Sequence, residues 1–331
     1  LALGEAREER IPEPAATPRA VAGSPAIHAQ SLSKRYGGVV ALAGLTMSVP
    51  RGEVFGFLGP NGAGKTTAVK LLTGLSRPSG GEAWVLGARC GDRETRRRIG
   101  YLPELFRYQA WLSALEVLRL HADLLGLDAA TGRRSAEAAL VTVGLIDRAR
   151  DRAGTFSKGM QQRLGLAVAM LGEPELIFLD EPTSALDPVG RRDVRDIIHE
   201  LRRRGTTVFL NSHLLGEVEQ VCDRVAVVDR GVVIATGTLE ELLAAGGVRV
   251  RATGLDPGLL RRLERFGPVQ VAGEWLSIAG LAEAGIPEVV AELAAGGARI
   301  YAVEPRHESL EERFMSLLAP PGPGAGPGAP R

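Results

Sequence analysis

The sequence predicts an α/β fold: a largely parallel sheet built around a phosphate-binding loop, with antiparallel strands before it and a small α+β module after it. Three observations predict this. Residues 59–67 read Gly-Pro-Asn-Gly-Ala-Gly-Lys-Thr-Thr, directly after the apolar run 53–58, which reads as a buried strand feeding a loop. Short, wholly apolar runs such as 176–179 then alternate with helix-like stretches, the pattern of strands buried on both faces. At Gly246-Gly247 that pattern breaks, and a β-α-β-β-α-β order follows, which suits a ferredoxin-like module.

The elements follow in order. Residues 1–26 mix Glu, Arg, Pro and Ala without an apolar core, so they read as a disordered extension rather than a signal peptide. Residues 27–49 carry short alternating apolar runs, expected as antiparallel strands, and 81–86 is a further strand. From 112 to 143 the apolar spacing is helical, broken near 128–132. This is a helical subdomain within about 105–170. Helix-like 189–203, strand-like 206–210 and strand-like 225–228 complete a nucleotide-binding domain over 27–246. The accessory domain, 247–319, reads as strand 248–253, helix 257–265, strands 268–272 and 275–279, helix 283–295, strand 299–304 and a last helix near 308–318. The Pro/Gly/Ala-rich residues 320–331 read as a disordered tail.

The phosphate loop carries the first chemistry. Gly59, Gly62 and Gly64 let the backbone curl so that N–H groups, including those of Asn61 and Ala63, face an anion. Lys65 supplies a point charge for β- and γ-phosphates, and the Thr66 hydroxyl, with Thr67 beside it, can ligate Mg²⁺. The helix opening at Lys65 adds its positive dipole end.

The run Leu-Ile-Phe-Leu-Asp-Glu-Pro, 176–182, places Asp180 at the carboxyl end of a buried strand, where it can hold Mg²⁺, and Glu181 where it can polarise water. Ser157 and Gly159, in Phe-Ser-Lys-Gly-Met-Gln-Gln-Arg, open a helix and suit either an anion or an ordinary N-cap. His213 follows a strand and can reach a γ-phosphate, and Tyr36 precedes Gly37-Gly38, where its ring could stack on a base.

Composition bounds the partners. The 331 residues suggest about two domains. They carry 40 basic against 39 acidic side chains, a balance that argues against a dedicated nucleic-acid binder. The arginine clusters 96–98 and 202–204 read as solvated helix faces. Cys90 and Cys222 lack metal-ligand spacing and read as reduced thiols. No apolar run approaches the ~20 residues that span a bilayer, and no internal repeat is evident.

The order of these pieces resembles one family. A phosphate loop, Ser-x-Gly-Met-Gln-Gln-Arg, Leu-Asp-Glu-Pro-Thr-Ser-Ala-Leu-Asp-Pro and Asn-Ser-His resemble, over about 27–245, the ATP-binding subunit of an ABC transporter. The resemblance implies a P-loop NTPase (ABC ATPase) core that binds ATP and Mg²⁺. It makes Tyr36 the adenine-stacking residue, Ser157, Lys158, Gly159 and Met160 the signature, Asp180 part of Walker B and Glu181 the catalytic carboxylate. Ser184 to Asp187 become the D-loop and His213 the switch histidine. Lys158 and Met160 depart from the commonest signature, which has Gly and Gln. Glu104 stands where a Gln that meets Mg²⁺ is usual. These variants, and the C-terminal extension ending Val303-Glu-Pro-Arg-His-Glu-Ser-Leu-Glu-Glu-Arg-Phe, resemble the ABC-2 type exporters.

The resemblance further implies a head-to-tail dimer, homodimeric or heterodimeric, that sandwiches two ATPs. It also implies a separate integral membrane permease, and a cytoplasmic location on the inner face of the cell membrane. Three alternatives fit less well. A soluble ABC ATPase of translation or repair usually carries two cassettes or a long coiled-coil insertion. A GTPase needs Asn-Lys-x-Asp, and none of Lys34, Lys65, Lys70 and Lys158 follows Asn. An importer subunit is disfavoured by Glu104 and the C-terminal module.

Overall fold

Buried strands and three apolar clusters organise the chain. The computed structural model describes residues 24–184, 186–243, 246–306 and 309–318. The expected tail 320–331 and all but the last three residues of the expected N-terminal extension lie outside them. Those three are not loose ends. Ala26 is fully buried and donates its N–H to the Val49 carbonyl at 2.8 Å, so the ordered fold begins before Ile27.

Strands β1 (Ile27–Tyr36) and β2 (Val39–Val49) form an antiparallel hairpin, and β3 (Val54–Leu58) leads into helix α1 (Lys65–Leu72). β4 (Gly80–Val85) and β5 (Ala88–Arg89) join the hairpin in a sheet of order β2-β1-β4-β5. Short α2 (Arg93–Arg96) leads to β6 (Ile99–Leu102). Helices α3 (Ala114–Leu125), α4 (Ala129–Thr142) and α5 (Lys158–Ala169) follow. Then come β7 (Leu176–Asp180), α6 (Pro188–Arg203), β8 (Thr207–Asn211), α7 (Leu215–Val221), β9 (Arg224–Asp229), β10 (Val232–Thr238) and α8 (Leu239–Leu243).

The second sheet has the order β10-β9-β3-β8-β7-β6 and is parallel except for the edge strand β10. Every residue of β3, β7 and β8 is buried, which explains their unbroken apolar character. Alternate residues feed two cores. Phe55, Phe57, Phe178 and Phe209 pack towards the antiparallel sheet and α1, with ring centroids 5.2–5.9 Å from Phe209. Val54, Leu58, Ile177, Leu179, Val208 and Leu210 pack against the helices of the other layer.

One expected boundary moves. The helical break lies at 126–128, not 128–132. Gly126 ends α3 at φ +79° and Asp128 caps α4 through the N–H groups of Ala130 and Thr131. Gly132 is inside α4, where a Cβ would come 3.2 Å from the Ala122 methyl. The glycine permits close helix contact rather than ending a helix. β10 and α8 were not expected; β10 is a half-exposed edge strand with weak apolar contrast. The arginine clusters do lie at the surface, where Arg98 pairs with Glu175 and Arg204 with Glu200.

The third sheet is antiparallel, formed by β11 (Gly247–Thr253), β12 (Val269–Ala272), β13 (Trp275–Ala279) and β14 (Arg299–Arg306) in the order β12-β13-β11-β14. Helices α9 (Pro257–Leu263) and α10 (Ile286–Ala295) cover one face, giving the ferredoxin-like order with its own core of Val248, Val250, Leu259, Leu276, Ile278 and Leu293. The last helix, α11 (Leu310–Leu318), stands outside that core. Its Leu310 is buried among the residues of the main helical layer, and α11 packs on α7 and α8. Among the described residues no helix is long and apolar enough to cross a membrane.

Candidate functional site

The parallel strands deliver their carboxyl ends to one edge, and the candidate site is built there. At the end of β3, Gly59 is confined: a Cβ on it would sit 2.3 Å from the Val228 carbonyl oxygen. Gly64 precedes α1 at φ +95°, and a Cβ there would meet the Ala41 carbonyl at 2.5 Å. Only glycine fits either place. The loop is stitched by Ala63 N–H to the Pro60 carbonyl (3.1 Å) and Gly231 N–H to the Ala63 carbonyl (2.9 Å). No side chain caps α1, so its first N–H groups are open to an anion. Asn61, Gly62 and Thr66 are exposed on the rim, and Thr67 is half-buried.

Lys65 is buried, and its ammonium donates to the carbonyls of Gly59 (2.7 Å) and Pro60 (3.3 Å). Burial lowers its pKa, while the charges of Glu181, Asp180 and Glu104 oppose that shift. One cation thus feels three carboxylates from the ends of two strands, β6 and β7.

Asp180, at the end of β7, is 2% exposed and lies beside Asn211 in the β7–β8 register. The Asn211 amide donates to Asp180 Oδ1 at 2.5 Å. Burial raises the Asp180 pKa; that hydrogen bond opposes the rise, Glu104 and Glu181 add to it, and Lys65 lowers it. Burial, and then the charges of Asp180 and Glu104, push the Tyr101 hydroxyl up to about 12.

Glu181 sits at φ +52°, in the left-handed region that a non-glycine residue rarely adopts, and its N–H donates to the Asn211 carbonyl at 2.8 Å. His213 Nδ1 is 2.8 Å from Glu181 Oε2, but the ring N–H is not aligned to form a hydrogen bond. Glu181 Oε2 and Asn211 Oδ1 are thus buried acceptors without donors. Such orphans mark places where water or a ligand completes the site. The oxygen-rich donor set fits Mg²⁺, which takes one or two carboxylates and draws its other ligands from phosphates and water. Among the described residues no group of three or more His, Cys, Asp or Glu is poised to hold a metal unaided. The protein oxygens would therefore form part of a cation site completed by the substrate.

The remaining predicted residues lie elsewhere. Ser157 caps α5, accepting from Met160 N–H at 3.3 Å, and a Cβ on Gly159 would come no nearer than 4.0 Å to any neighbour, that one being Leu186 Cδ2. Lys158 is exposed and Met160 packs on the main core. Ser157, Lys158 and Gly159 share a surface groove with Leu186 and Asp187. Asp187 caps α6 through Gly190 N–H (2.8 Å), and the Ser184 hydroxyl donates to the Glu181 carbonyl (3.2 Å). Among the described residues no hydrogen bond joins Ser157, Lys158 or Gly159 to Lys65 or Glu181. The structure thus gathers Lys65, Glu104, Asp180, Glu181 and His213 at one place and the helix start of α5 at another. Tyr36 ends β1 half-exposed, with the Lys34 ammonium 4.9 Å from its ring centroid. Asn211, which braces both acids, was not among the predicted site residues. The available signal was a polar residue ending an otherwise apolar strand.

Comparison with known proteins places this geometry. Residues 42–184 match the family described as ABC transporter. An ABC transporter ATP-binding protein of Nostoc sp. is 41% identical over 85% of this chain and 84% of its own length. A fluoroquinolones export ATP-binding protein of Mycobacterium tuberculosis is 41% identical over 72% of this chain and 80% of its own. A solved ATP-binding subunit of an ABC transporter is 33% identical, with a TM-score of 0.60 over 65% of this chain and 91% of that one.

Proposed function

The chain belongs to the family of ABC transporter ATP-binding proteins, and we propose that it is the ATP-hydrolysing subunit of an ABC-2 type exporter. The observation that carries the mechanism is the convergence of Lys65 with Glu104, Asp180 and Glu181 at one sheet edge. ATP lies with its phosphates in the loop 59–67 and on the N-terminus of α1, and Lys65 exchanges its two carbonyl acceptors for β- and γ-phosphate oxygens. Tyr36 stacks on the adenine. Thr66, Asp180 and Glu104 would hold Mg²⁺, which when bound would neutralise developing phosphate charge. Glu181 orients and deprotonates the attacking water, and its unpartnered Oε2 supports that role. His213, adjacent to that oxygen, contacts the γ-phosphate.

Ser157, Lys158, Gly159 and Met160 lie apart from the chain's own phosphate loop, which supports a head-to-tail dimer. Each α5 start then serves the ATP of the other subunit, with Ser184 and Asp187 near the seam. A membrane permease is the further partner, holding the subunit at the inner face of the cell membrane. Exposed Leu105, next to Glu104 in the chain, and Trp111, 87% and 71% accessible, offer it apolar docking points. Export rather than import is supported by Glu104, by Lys158 and Met160, by the C-terminal module, and by the name of the M. tuberculosis relative.

Ser157→Arg tests the dimer. Nucleotide affinity of the isolated chain is expected to stay within about twofold, while ATP-dependent dimerisation by size-exclusion chromatography is lost, because bulk and charge enter a phosphate-facing helix start. A large loss of affinity in the monomer would instead place Ser157 in its own chain's pocket.

A further inference from the structure

The helix that ends the described chain is tied to the module it follows by Arg306, whose guanidinium holds Glu312 at 2.6 Å, but its apolar face packs on the main helical layer and not in the module's core. α11 leaves β14, and its first residue, Leu310, is 1% exposed among the residues of the main helical layer, with Phe314 packed beside it. The start of α11 is fixed twice. Ser309 and Glu312 form reciprocal bonds, with Glu312 N–H donating to Ser309 Oγ at 3.2 Å and Ser309 N–H to Glu312 Oε2 at 3.1 Å. The Leu310 N–H donates to Glu219 Oε2 of α7 at 3.5 Å, which sets a carboxylate at the positive end of α11.

α7 is the element on which several constraints meet. It starts two residues after His213, whose ring lies 2.8 Å from Glu181. Its inner face rests on β3 at Gly56, where a Cβ would fall 2.9 Å from Val218 Cγ1 and 3.1 Å from Cys222 Sγ, so the helix lies against the strand that feeds the phosphate loop. Its Glu217 receives Arg195 of α6 in a two-point pair, 3.0 and 2.8 Å, with side chains only 13% and 22% exposed. Its outer face is covered by α11. A seven-residue helix has little stability of its own and takes its position from such contacts.

We propose that Leu310 and Glu219 are positioning residues for hydrolysis: α11 clamps α7 and thereby holds His213 against Glu181. The C-terminal module, though remote from the phosphates, sets the rate of the chemical step without setting nucleotide affinity. Movement of the module withdraws α11, loosens α7 and lets the histidine leave the acid. The inference rests on the roles given above to His213 and Glu181.

The test uses the full chain. Single-turnover hydrolysis and nucleotide affinity are measured for Leu310→Ala, Leu310→Met and Glu219→Gln, and for Leu310→Ala combined with His213→Ala. Leu310→Ala is expected to slow hydrolysis about tenfold with affinity changed less than about twofold, because a displaced group loses its alignment. Leu310→Met restores the volume and the rate. Glu219→Gln, an exposed change that spares the core, slows hydrolysis about twofold. In the His213→Ala background Leu310→Ala has no further effect. An unchanged rate in both Leu310→Ala and Glu219→Gln overturns the inference, and so does an equal loss with and without His213, which would mark general destabilisation. If Leu310→Ala does not fold, Glu219→Gln decides by the same criteria. If His213→Ala alone hydrolyses at the wild-type rate, the site reading falls and this inference with it. If His213→Ala is impaired and Leu310→Ala and Glu219→Gln are not, only this inference falls.

Discussion

The nucleotide-binding core and the C-terminal module both layer helices on a sheet, yet they treat charge in opposite ways. The core buries Lys65, Asp180, Glu181 and Asn211, and every buried polar or charged side chain among the described residues lies between 65 and 212. The module's core is wholly apolar. Sheet direction explains the difference. In the parallel sheet, β3, β6, β7 and β8 point the same way, so the residues after them meet at one edge. In the antiparallel sheet successive ends alternate, so no comparable edge gathers side chains. Buried charge costs stability unless it is paired, and it persists where chemistry uses it.

Three substitutions test this contrast, the largest effect first. Glu181→Gln is expected to lower ATP turnover about 100-fold or more, since an amide cannot take the proton from water. Nucleotide affinity should be retained, and the ATP-bound dimer should accumulate on size-exclusion chromatography. Normal turnover would remove Glu181 from its role and with it the reason for burying charge here. Leu276→Ala, in the apolar core of the module, should cost about 2–5 kcal/mol of module stability by denaturant titration while leaving nucleotide affinity unchanged. A matching loss of affinity would show that the two regions share one site. Arg262→Ala removes one of two arginines that hold Glu292, the other being Arg265 at 2.8 Å. Both arginines are exposed, so the melting shift should correspond to less than about 1 kcal/mol. A larger loss would mean that charge matters to the module after all.

Much of this was legible in the sequence because its signals are local. The phosphate loop is nine consecutive residues, and the acid pair ends a run that is apolar for the plain reason that every residue of β7 is buried. The module was legible through alternation: Val248, Val250 and Ala252 face inward while Arg249 and Arg251 face out. What escaped was non-local. Gly132 looks like a helix breaker until Ala122 is seen against it. Asn211 matters because the register sets it beside Asp180, 31 residues away. The partner of α11 was hidden because an amphipathic helix states which face is apolar but not whose surface it covers. A chain ending near Leu243 would therefore uncover α7 and α8 as well as lose the module.

The ammonium of Lys65, already bonded to the carbonyls of Gly59 and Pro60, has a consequence for selectivity. The loop is not a bare positive hole. Any anion entering must replace two acceptors the lysine already holds, so a single orthophosphate makes an exchange with little net gain. A chain of several phosphates gains more, because the same exchange is joined by contacts with the open N–H groups at the start of α1. The lysine's existing bonds thus favour a longer phosphate chain over a single small anion at this loop.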